Sequence, residues 1–82
     1  MAKLFLSAQA QKDSQKIPFK DKIKIHKKLA LLEKNPFLGK NLAGKLKGYY
    51  SLKIWPYRVI YFIKENKEIW VVHLLHRQQA YK

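Results

Sequence analysis

The sequence predicts a small two-layer α+β domain with the element order β-α-α-β-β-β, in which two N-terminal helices pack on an antiparallel sheet. Three observations lead to this prediction. Apolar residues recur at helical spacing up to Asn35-Pro36, they alternate with a period of two from Tyr49 onward, and the three glycines fall in the segment between. At 82 residues the chain has room for a single domain, residues 1–82, and we expect it to be complete.

The N-terminal half predicts a short strand followed by two helices. Residues 3–6 form an apolar strand candidate, and Ser7 is a suitable N-cap for a first helix over about 8–16. A second helix over 19–34 ends at Asn35, because the residue before a proline disfavours the α region. This second helix is amphipathic and has one strongly cationic face; its apolar stripe is Ile25, Leu29 and Leu32.

The C-terminal half predicts three strands that pair as an antiparallel meander through short turns. The strands follow a connector over 36–48 and occupy 49–55, 57–63 and 68–75. The middle strand is apolar at nearly every position and is therefore expected at the centre of the sheet. Because both helices cover one face, we expect the other face to stay open as a functional surface. Of the first strand, Tyr49, Ser51, Lys53 and Trp55 should point away from Tyr50, Leu52 and Ile54.

Positive charge dominates the composition. The chain carries 18 Lys and Arg against 5 Asp and Glu, a formal net charge of +13. This density attracts polyanions, so nucleic acid, an anionic membrane surface or an acidic protein are the partner classes it indicates. The absence of cysteine excludes a disulfide scaffold, Cys-ligated zinc and a thiol nucleophile. The N-terminal apolar run is too short for a signal peptide, and we expect a cytoplasmic protein with no membrane partner.

The sequence lacks the groups on which most hydrolytic sites depend. It has no Gly-rich phosphate loop, no carboxylate pair poised for hydrolysis, and only two histidines at metal-ligand spacing, so we expect no metal and no cofactor. A cationic and aromatic set remains in the C-terminal half. Such groups can promote RNA cleavage by its own 2′-hydroxyl, because that reaction needs charge stabilisation and proton transfer but no metal. The set is Lys53, Arg58, His73, His76, Arg77 and Tyr81.

Structural explanations compete with this chemical one. Arg58 could form an ion pair with Glu65 or Glu68. His73 alternates with apolar residues and could be a partly buried core histidine, whereas His76, at the strand end, is expected to be exposed. The lysines, both in the strand and in the second helix, could be no more than solvated surface residues.

Three motifs occur in order in the C-terminal half: LKGYYSLKI over 46–54, YRVIY over 57–61, and VVHLLHR over 71–77 with Tyr81 four residues later. In this order they resemble the RelE/ParE superfamily of bacterial and archaeal toxins, and the match covers residues 42–82 well. The resemblance implies the same small α+β fold and toxin activity with a neighbouring antitoxin. In the RelE branch that activity is cleavage of mRNA in the ribosomal A site; in the ParE branch it is poisoning of DNA gyrase.

The resemblance also implies roles for individual residues. Lys53 looks like a phosphate or proton-transfer lysine, and Arg58 looks like the arginine that stabilises the transition state. Arg77 and Tyr81 look like the C-terminal phosphate contact and the acid/base or stacking residue. Retention of these four residues together favours the nuclease branch.

One position departs from the family pattern. The family strand often carries two cations two positions apart, and the first of these positions is Ser51 here. The identity of the general base therefore stays open, with His73 and His76 as candidates, and His76 is included in the predicted catalytic set. RNA and ribosome contacts are expected from the second helix and the following strand, at Lys20, Lys24, Lys27, Lys28, Lys47, Tyr49 and Ser51.

The sequence therefore predicts the toxin of a type II toxin–antitoxin system, a ribosome-dependent mRNA endonuclease that works without metal. Expected partners are mRNA, the ribosome, and an acidic or partly disordered antitoxin encoded next to the toxin. We expect a monomeric free toxin and a higher-order complex with the antitoxin. Two alternatives stay open: a ParE-like gyrase inhibitor, and a non-catalytic basic RNA-binding module, for which Ser51 is the main support.

Overall fold

The computed structural model describes residues 3–65 and 67–76. Two helices and five strands lie in this part of the chain, and one short 3-10 turn, Gly44–Leu46, precedes the third strand. No helix within it is long and apolar enough to cross a bilayer. The elements are β1 (Lys3–Leu6), α1 (Ala8–Gln15), α2 (Phe19–Lys34), β2 (Lys40–Asn41), β3 (Tyr49–Ile54), β4 (Tyr57–Lys64) and β5 (Glu68–His76).

The predicted α+β fold class is confirmed, with two differences in the sheet. The strand order is β1-β5-β4-β3-β2, and β4 lies at the centre as predicted. β1 pairs with β5 in parallel, whereas all other neighbours are antiparallel. Parallel pairing requires a long connection between the two strands, and the helices and the meander together supply it. The two-residue strand β2 lies in the segment that was expected to be only a connector.

The residues predicted to begin the first helix and to end the second have these roles in the structure. The Ser7 hydroxyl accepts a hydrogen bond from the Ala10 N–H at 3.0 Å and caps α1. The second helix spans Phe19–Lys34 and ends at Asn35, the residue before Pro36. Predicted and observed boundaries of the long elements differ by one residue at most.

The hydrophobic core lies between the helices and one face of the sheet, which we call the inner face. α2 contributes the predicted stripe of Ile25, Leu29 and Leu32. The sheet contributes alternate residues of its three long strands, because successive side chains point to opposite faces. These residues are Leu52, Ile54, Tyr57, Val59, Tyr61, Ile69, Val71 and Leu74.

Two inner-face tyrosines tie the sheet to the helical layer. The Tyr61 hydroxyl donates to the Pro36 carbonyl at 2.8 Å and accepts from the Gly39 N–H at 2.9 Å, which anchors the connector after α2. The Tyr57 hydroxyl donates to Asp21 Oδ2 at 3.2 Å. Burial raises the pKa of both phenols, and the Asp21 carboxylate raises the pKa of Tyr57 further.

A bulge in β5 changes which residues face the core. The register passes from Tyr61 opposite Val71 to Ile60 opposite His73, so Val72 has no partner on β4. Beyond Val72 the alternation is shifted by one residue, and Leu74 faces the core. Ser7 supports this irregular segment: its hydroxyl donates to the Val72 carbonyl at 3.1 Å, and its N–H donates to the Val71 carbonyl at 2.9 Å.

The bulge overturns both sequence expectations for the strand histidines. His73 was considered as a partly buried core residue, but it is exposed on the face away from the helices. His76 was expected to be exposed, but it is half-buried on the inner face, with its ring edge-on to Tyr57 at 5.4 Å between centroids.

Candidate active site on the outer face of the sheet

The face of the sheet that points away from the helices, which we call the outer face, presents rows of side chains that run across the strands. Two residues in its centre, Ser51 and Ile60, are buried, and they are paired in register. The ends of the face differ from this centre and from each other. One end carries cations on β3 and β4, and the other end carries aromatic rings on four strands.

Lys53 and Arg58 form the cationic end, and we call them the cation pair. They lie directly opposite each other in the β3–β4 register. The Lys53 side chain is exposed, with its ammonium 5.4 Å from the centroid of the Trp55 ring, and Arg58 is half-buried. Like charges directly opposite each other weaken a sheet. This position therefore brings two positive residues together on neighbouring strands.

Acidic groups lie far from the cation pair along the strands. Among the described strand residues, the only carboxylate on the outer face is Glu68, which lies opposite Lys64. Lys64 is six residues from Arg58 along β4, a separation of roughly 20 Å. The alternative in which Arg58 forms a structural ion pair with Glu65 or Glu68 is therefore wrong. Two cations on neighbouring strands suit an anionic ligand such as a phosphate.

His73 lies on the same face as the cation pair. It is two residues from Leu75, which is the partner of Arg58 in the β4–β5 register. Its Nδ1 atom is 3.8 Å from Asp13 Oδ2, and the same carboxylate oxygen accepts the Leu74 N–H at 3.1 Å. A histidine beside a carboxylate and open to solvent is a suitable group for proton transfer.

The aromatic end is a row of four rings on four neighbouring strands. Phe5 stacks on Trp70 with 4.8 Å between centroids, and Tyr49 meets Phe62 edge-on at 5.7 Å. Phe62 and Trp70 are partners in the β4–β5 register and connect the two pairs. The Lys64 ammonium lies 5.3 Å from the Trp70 ring centroid, so one cation lies beside this end as well.

The matches with known proteins fit this geometry. The family model for the ParE toxin of the type II toxin–antitoxin system, parDE, matches residues 4–81. The chain belongs to this toxin family. It is thus a member of the RelE/ParE superfamily that the motifs indicated. A search of curated proteins finds no match.

Solved structures of toxins share the fold. A chain of the RelBE2 toxin–antitoxin complex from Mycobacterium tuberculosis superposes with a TM-score of 0.86 at 23% identity, covering 93% of this chain and 98% of that one. The isolated RelE toxin of Escherichia coli gives 0.79 at 20% identity, covering 93% and 84%. The YoeB dimer from Staphylococcus aureus gives 0.71 at 27% identity, covering 88% and 92%.

The structure brings only part of the predicted catalytic set of this toxin together. Lys53 and Arg58 lie side by side, and His76 lies on the other face of the sheet, against Tyr57. Arg77 and Tyr81 lie outside the described residues. Within those residues, no group of three or more histidine, aspartate or glutamate side chains could hold a metal ion.

The predicted RNA-binding residues divide into two surfaces. Tyr49 and Ser51 belong to the outer face, where Tyr49 is half-buried and Ser51 is only 8% exposed. The lysines of α2 belong to the helical layer on the other side of the sheet, and Lys24 is engaged there: its ammonium donates to the Trp55 carbonyl at 2.9 Å and lies 3.9 Å from Asp21. The remaining predicted lysines are exposed, namely Lys20, Lys27, Lys28 and Lys47.

The sequence alone did not indicate that His73 lies on the outer face, and it did not reveal the aromatic row. The position of His73 depends on the bulge at Val72, which no residue type marks in the sequence. The row depends on strand register: Phe5 comes into line with Trp70 only through the parallel pairing of β1 with β5. A signal for part of the row was present, because Tyr49 and Phe62 both fall on the outer side of predicted strands.

Proposed function

We propose that this toxin is an endoribonuclease that cuts mRNA on the ribosome without a metal ion. The observation that carries the proposal is the cation pair. Its two residues lie opposite each other on the outer face, at the end of the sheet away from Glu68. Two positive side chains on neighbouring strands form an arrangement that can stabilise a dianionic phosphorane.

In the proposed reaction, the RNA 2′-oxygen forms a bond to the adjacent phosphorus, and the bond from phosphorus to the 5′-oxygen breaks. The products are a 2′,3′-cyclic phosphate and a free 5′-hydroxyl. Lys53 and Arg58 would hold the non-bridging oxygens, on which negative charge grows in the transition state. Such donors contribute most where their positions are set before the reaction begins, and the strand register sets the backbone positions of both residues.

Two protons have to move during this step. One leaves the attacking 2′-hydroxyl and one reaches the departing 5′-oxygen. Arg77 and Tyr81 stay the residues predicted for phosphate contact and acid/base chemistry. Among the described residues, His73 is the better-placed histidine, because it shares the outer face with the cation pair, whereas His76 faces the core. We therefore propose His73 ahead of His76 for proton transfer.

The proposed partners follow from charge and from the toxins that share the fold. The exposed lysines of α2 suit ribosomal RNA phosphates. Similar folds occur in complexes of RelE-type toxins with RelB-type antitoxins. We propose a cognate antitoxin, acidic or partly disordered and encoded next to this chain, a cytoplasmic location, a monomeric free toxin and a higher-order complex.

Induced expression with primer extension on a reporter mRNA tests the proposal. Arg58→Ala is compared with wild type and with Lys64→Ala, a matched control that removes a cation from the same strand and face at the other end. We expect discrete cuts in translated regions for wild type and the control, and a loss of roughly 10²–10³ in rate for Arg58→Ala. Cutting by Arg58→Ala at the wild-type rate would show that the site assignment is wrong.

A second candidate function is poisoning of DNA gyrase. It is favoured by the family model, which is that of the ParE toxin. This function predicts growth arrest with intact mRNA and inhibited supercoiling by purified gyrase. Unaffected supercoiling would exclude it, and salt-sensitive RNA binding with neither effect would indicate a non-catalytic binding module.

A further inference from the structure

The four rings at the aromatic end of the outer face form one surface, which we call the aromatic row. Its members, from β3 to β1, are Tyr49, Phe62, Trp70 and Phe5. None of these rings belongs to the hydrophobic core, which lies on the inner face. Phe5 is 36% exposed, and the other three are half-buried. Flat rings that lie side by side on an open face are suited to stacking with unpaired nucleobases.

Contacts within the sheet hold the Trp70 ring in place. Its Nε1 donates to Glu68 Oε1 at 3.2 Å, and its ring stacks on Phe5 with 4.8 Å between centroids. Lys64 and Glu68 lie opposite each other just beyond the row, so their charges offset each other. The aromatic end therefore offers fixed ring surface rather than a second phosphate site. A ring that is already ordered loses little conformational entropy when a ligand stacks on it.

The aromatic row and the cation pair belong to one continuous surface. The residues in register between them, from β2 to β5, are Lys40, Ser51, Ile60 and His73. Lys40 and His73 are exposed, and Glu68, the only carboxylate on this face among the described strand residues, lies beyond the aromatic row. Phe62 is four residues from Arg58 along β4, a separation of roughly 13 Å. A polyanion can therefore extend from the cation pair to the aromatic row without meeting a strand carboxylate.

We propose that the aromatic row is a second RNA subsite, at which unpaired bases of the mRNA stack while the cation pair holds the phosphate that is cut. The inference rests on the proposed function, since it takes mRNA as the substrate. Because the two sites are separated along the strands, the stacked bases belong to nucleotides near the cleaved bond and not to the bond itself. Stacking accepts every base, so the subsite should add affinity with little sequence preference.

The two ends of the outer face together favour single-stranded RNA over other ligands. A nucleic-acid duplex would offer phosphates to Lys53 and Arg58, but its base faces are stacked inside the helix and cannot reach the rings. An apolar peptide could cover the rings, but it brings no anion to the cation pair. An unpaired RNA strand carries phosphates and flat rings in one chain, so it uses both ends.

The two tryptophans of the chain allow each end of the face to be observed separately. Trp55→Phe leaves Trp70 as the reporter of the aromatic row, and Trp70→Phe leaves Trp55, beside Lys53, as the reporter of the cationic end. The probe is a short single-stranded RNA with every 2′-hydroxyl methylated, which blocks the proposed cleavage. We expect this RNA to change the fluorescence of both full-length variants. An abasic nucleotide moved along the strand should abolish the Trp70 response at particular positions, while the Trp55 response remains.

A second measurement compares the affinity of full-length variants for the same RNA. Phe5→Leu removes one ring of the row but keeps an apolar side chain on β1. Phe37→Leu is the matched control, because Phe37 is 68% exposed but lies in the connector after α2. We expect the Kd to rise by about 10-fold in Phe5→Leu and to stay within about 2-fold in the control. If the row serves only the stability of the sheet, Phe5→Leu will unfold at lower urea and bind RNA as wild type does, and the inference will be wrong.

Several fluorescence results would also overturn the inference. A response of Trp55 without one of Trp70 would restrict RNA to the cation pair, and silence of both would remove RNA from the whole face. A Trp70 response that no abasic position abolishes would not be stacking. Shielding of Trp70 by the antitoxin but not by RNA would identify a protein as the occupant. The nuclease is tested separately, since intact mRNA in cells together with base-dependent Trp70 quenching would reject the nuclease and keep the RNA subsite.

Discussion

The two faces of the sheet are built from the same strands but follow different rules. In β4, Tyr57, Val59 and Tyr61 point inward and are buried in the core. The residues between them point outward, and among these Arg58 lies opposite another cation, Lys53. The inner face satisfies its polar groups: both tyrosine hydroxyls have hydrogen-bond partners in the helical layer.

Within one strand, the inward side chains therefore serve stability, and the outward side chains are available for chemistry. Burial of inner-face side chains supplies the free energy that keeps a domain of this size folded. The outer face can then carry two cations opposite each other, because inner-face burial supplies most of the folding free energy. Substitutions one residue apart should therefore have effects of different kinds.

The largest expected effect is on the inner side of the domain. Leu32 is fully buried, so Leu32→Ala should lower the free energy of unfolding by about 2–5 kcal/mol. The neighbouring Leu31 is 48% exposed, and Leu31→Ala should change the free energy of unfolding by only about 0.5 kcal/mol. Urea unfolding of the two variants measures the contrast. Equal losses would mean that the core does not lie between α2 and the inner face.

A smaller loss is expected when one inner-face hydroxyl is removed. Tyr61→Phe deletes the hydroxyl that bonds the Pro36 carbonyl and the Gly39 N–H, and should lower the free energy of unfolding by about 1–3 kcal/mol. Tyr49→Phe on the outer face is the matched control, and it should have little effect. Similar stabilities of the two variants would contradict the anchoring role of Tyr61.

The same tyrosine gives a pH dependence with a defined sign. Because burial raises the pKa of Tyr61 above its usual 10.0, the unfolded chain loses this proton first as the pH rises. The stability from this group is therefore complete below pH 10 and falls as the pH rises from there through the folded pKa. Urea unfolding at alkaline pH should show a shallower decline for Tyr61→Phe than for wild type.

Most of the fold was predictable because its signals are local. The stripe of α2 and the residue before Pro36 fixed the second helix, and the period of two fixed β3 and β4 together with the position of Lys53 and Arg58. The opposed cation pair follows from these strands once the short turn at Pro56 sets the register.

The rest depends on contacts between segments that are distant in the chain. The bulge at Val72 is supported by Ser7, and Asp13 accepts the N–H of Leu74 just beyond it, so the outward position of His73 depends on how α1 lies beside β5. Alternation along the strand allowed a core position for His73, and the strand end favoured an exposed His76, whereas the structure exposes His73 and half-buries His76. The parallel pairing of β1 with β5 and the pairing of the short strand β2 with β3 also depend on contacts between separate segments of the chain.

Removal of the Asp13 carboxylate, which holds β5 beside the bulge, should have a moderate effect on stability. Asp13→Ala takes away the acceptor of the Leu74 N–H and should lower the free energy of unfolding by about 1 kcal/mol. Gln9→Ala removes only the exposed side-chain partner of the same carboxylate and serves as the control. Hydrogen exchange at the Leu74 amide should accelerate in Asp13→Ala alone. An unchanged exchange rate would mean that the contact does not hold the bulge.

The smallest expected effect has the opposite sign and tests the outer face directly. Lys53→Gln removes one of two like charges and should raise the free energy of unfolding by a few tenths of a kcal/mol, about the size of a cross-strand charge effect. Lys64→Gln is the matched variant, because Lys64 faces Glu68, and it should lower the free energy by a similar amount. Both differences should shrink in high salt, which screens exposed charges. A loss of stability in both variants would mean that the charges of the cation pair are compensated locally and do not destabilise the sheet.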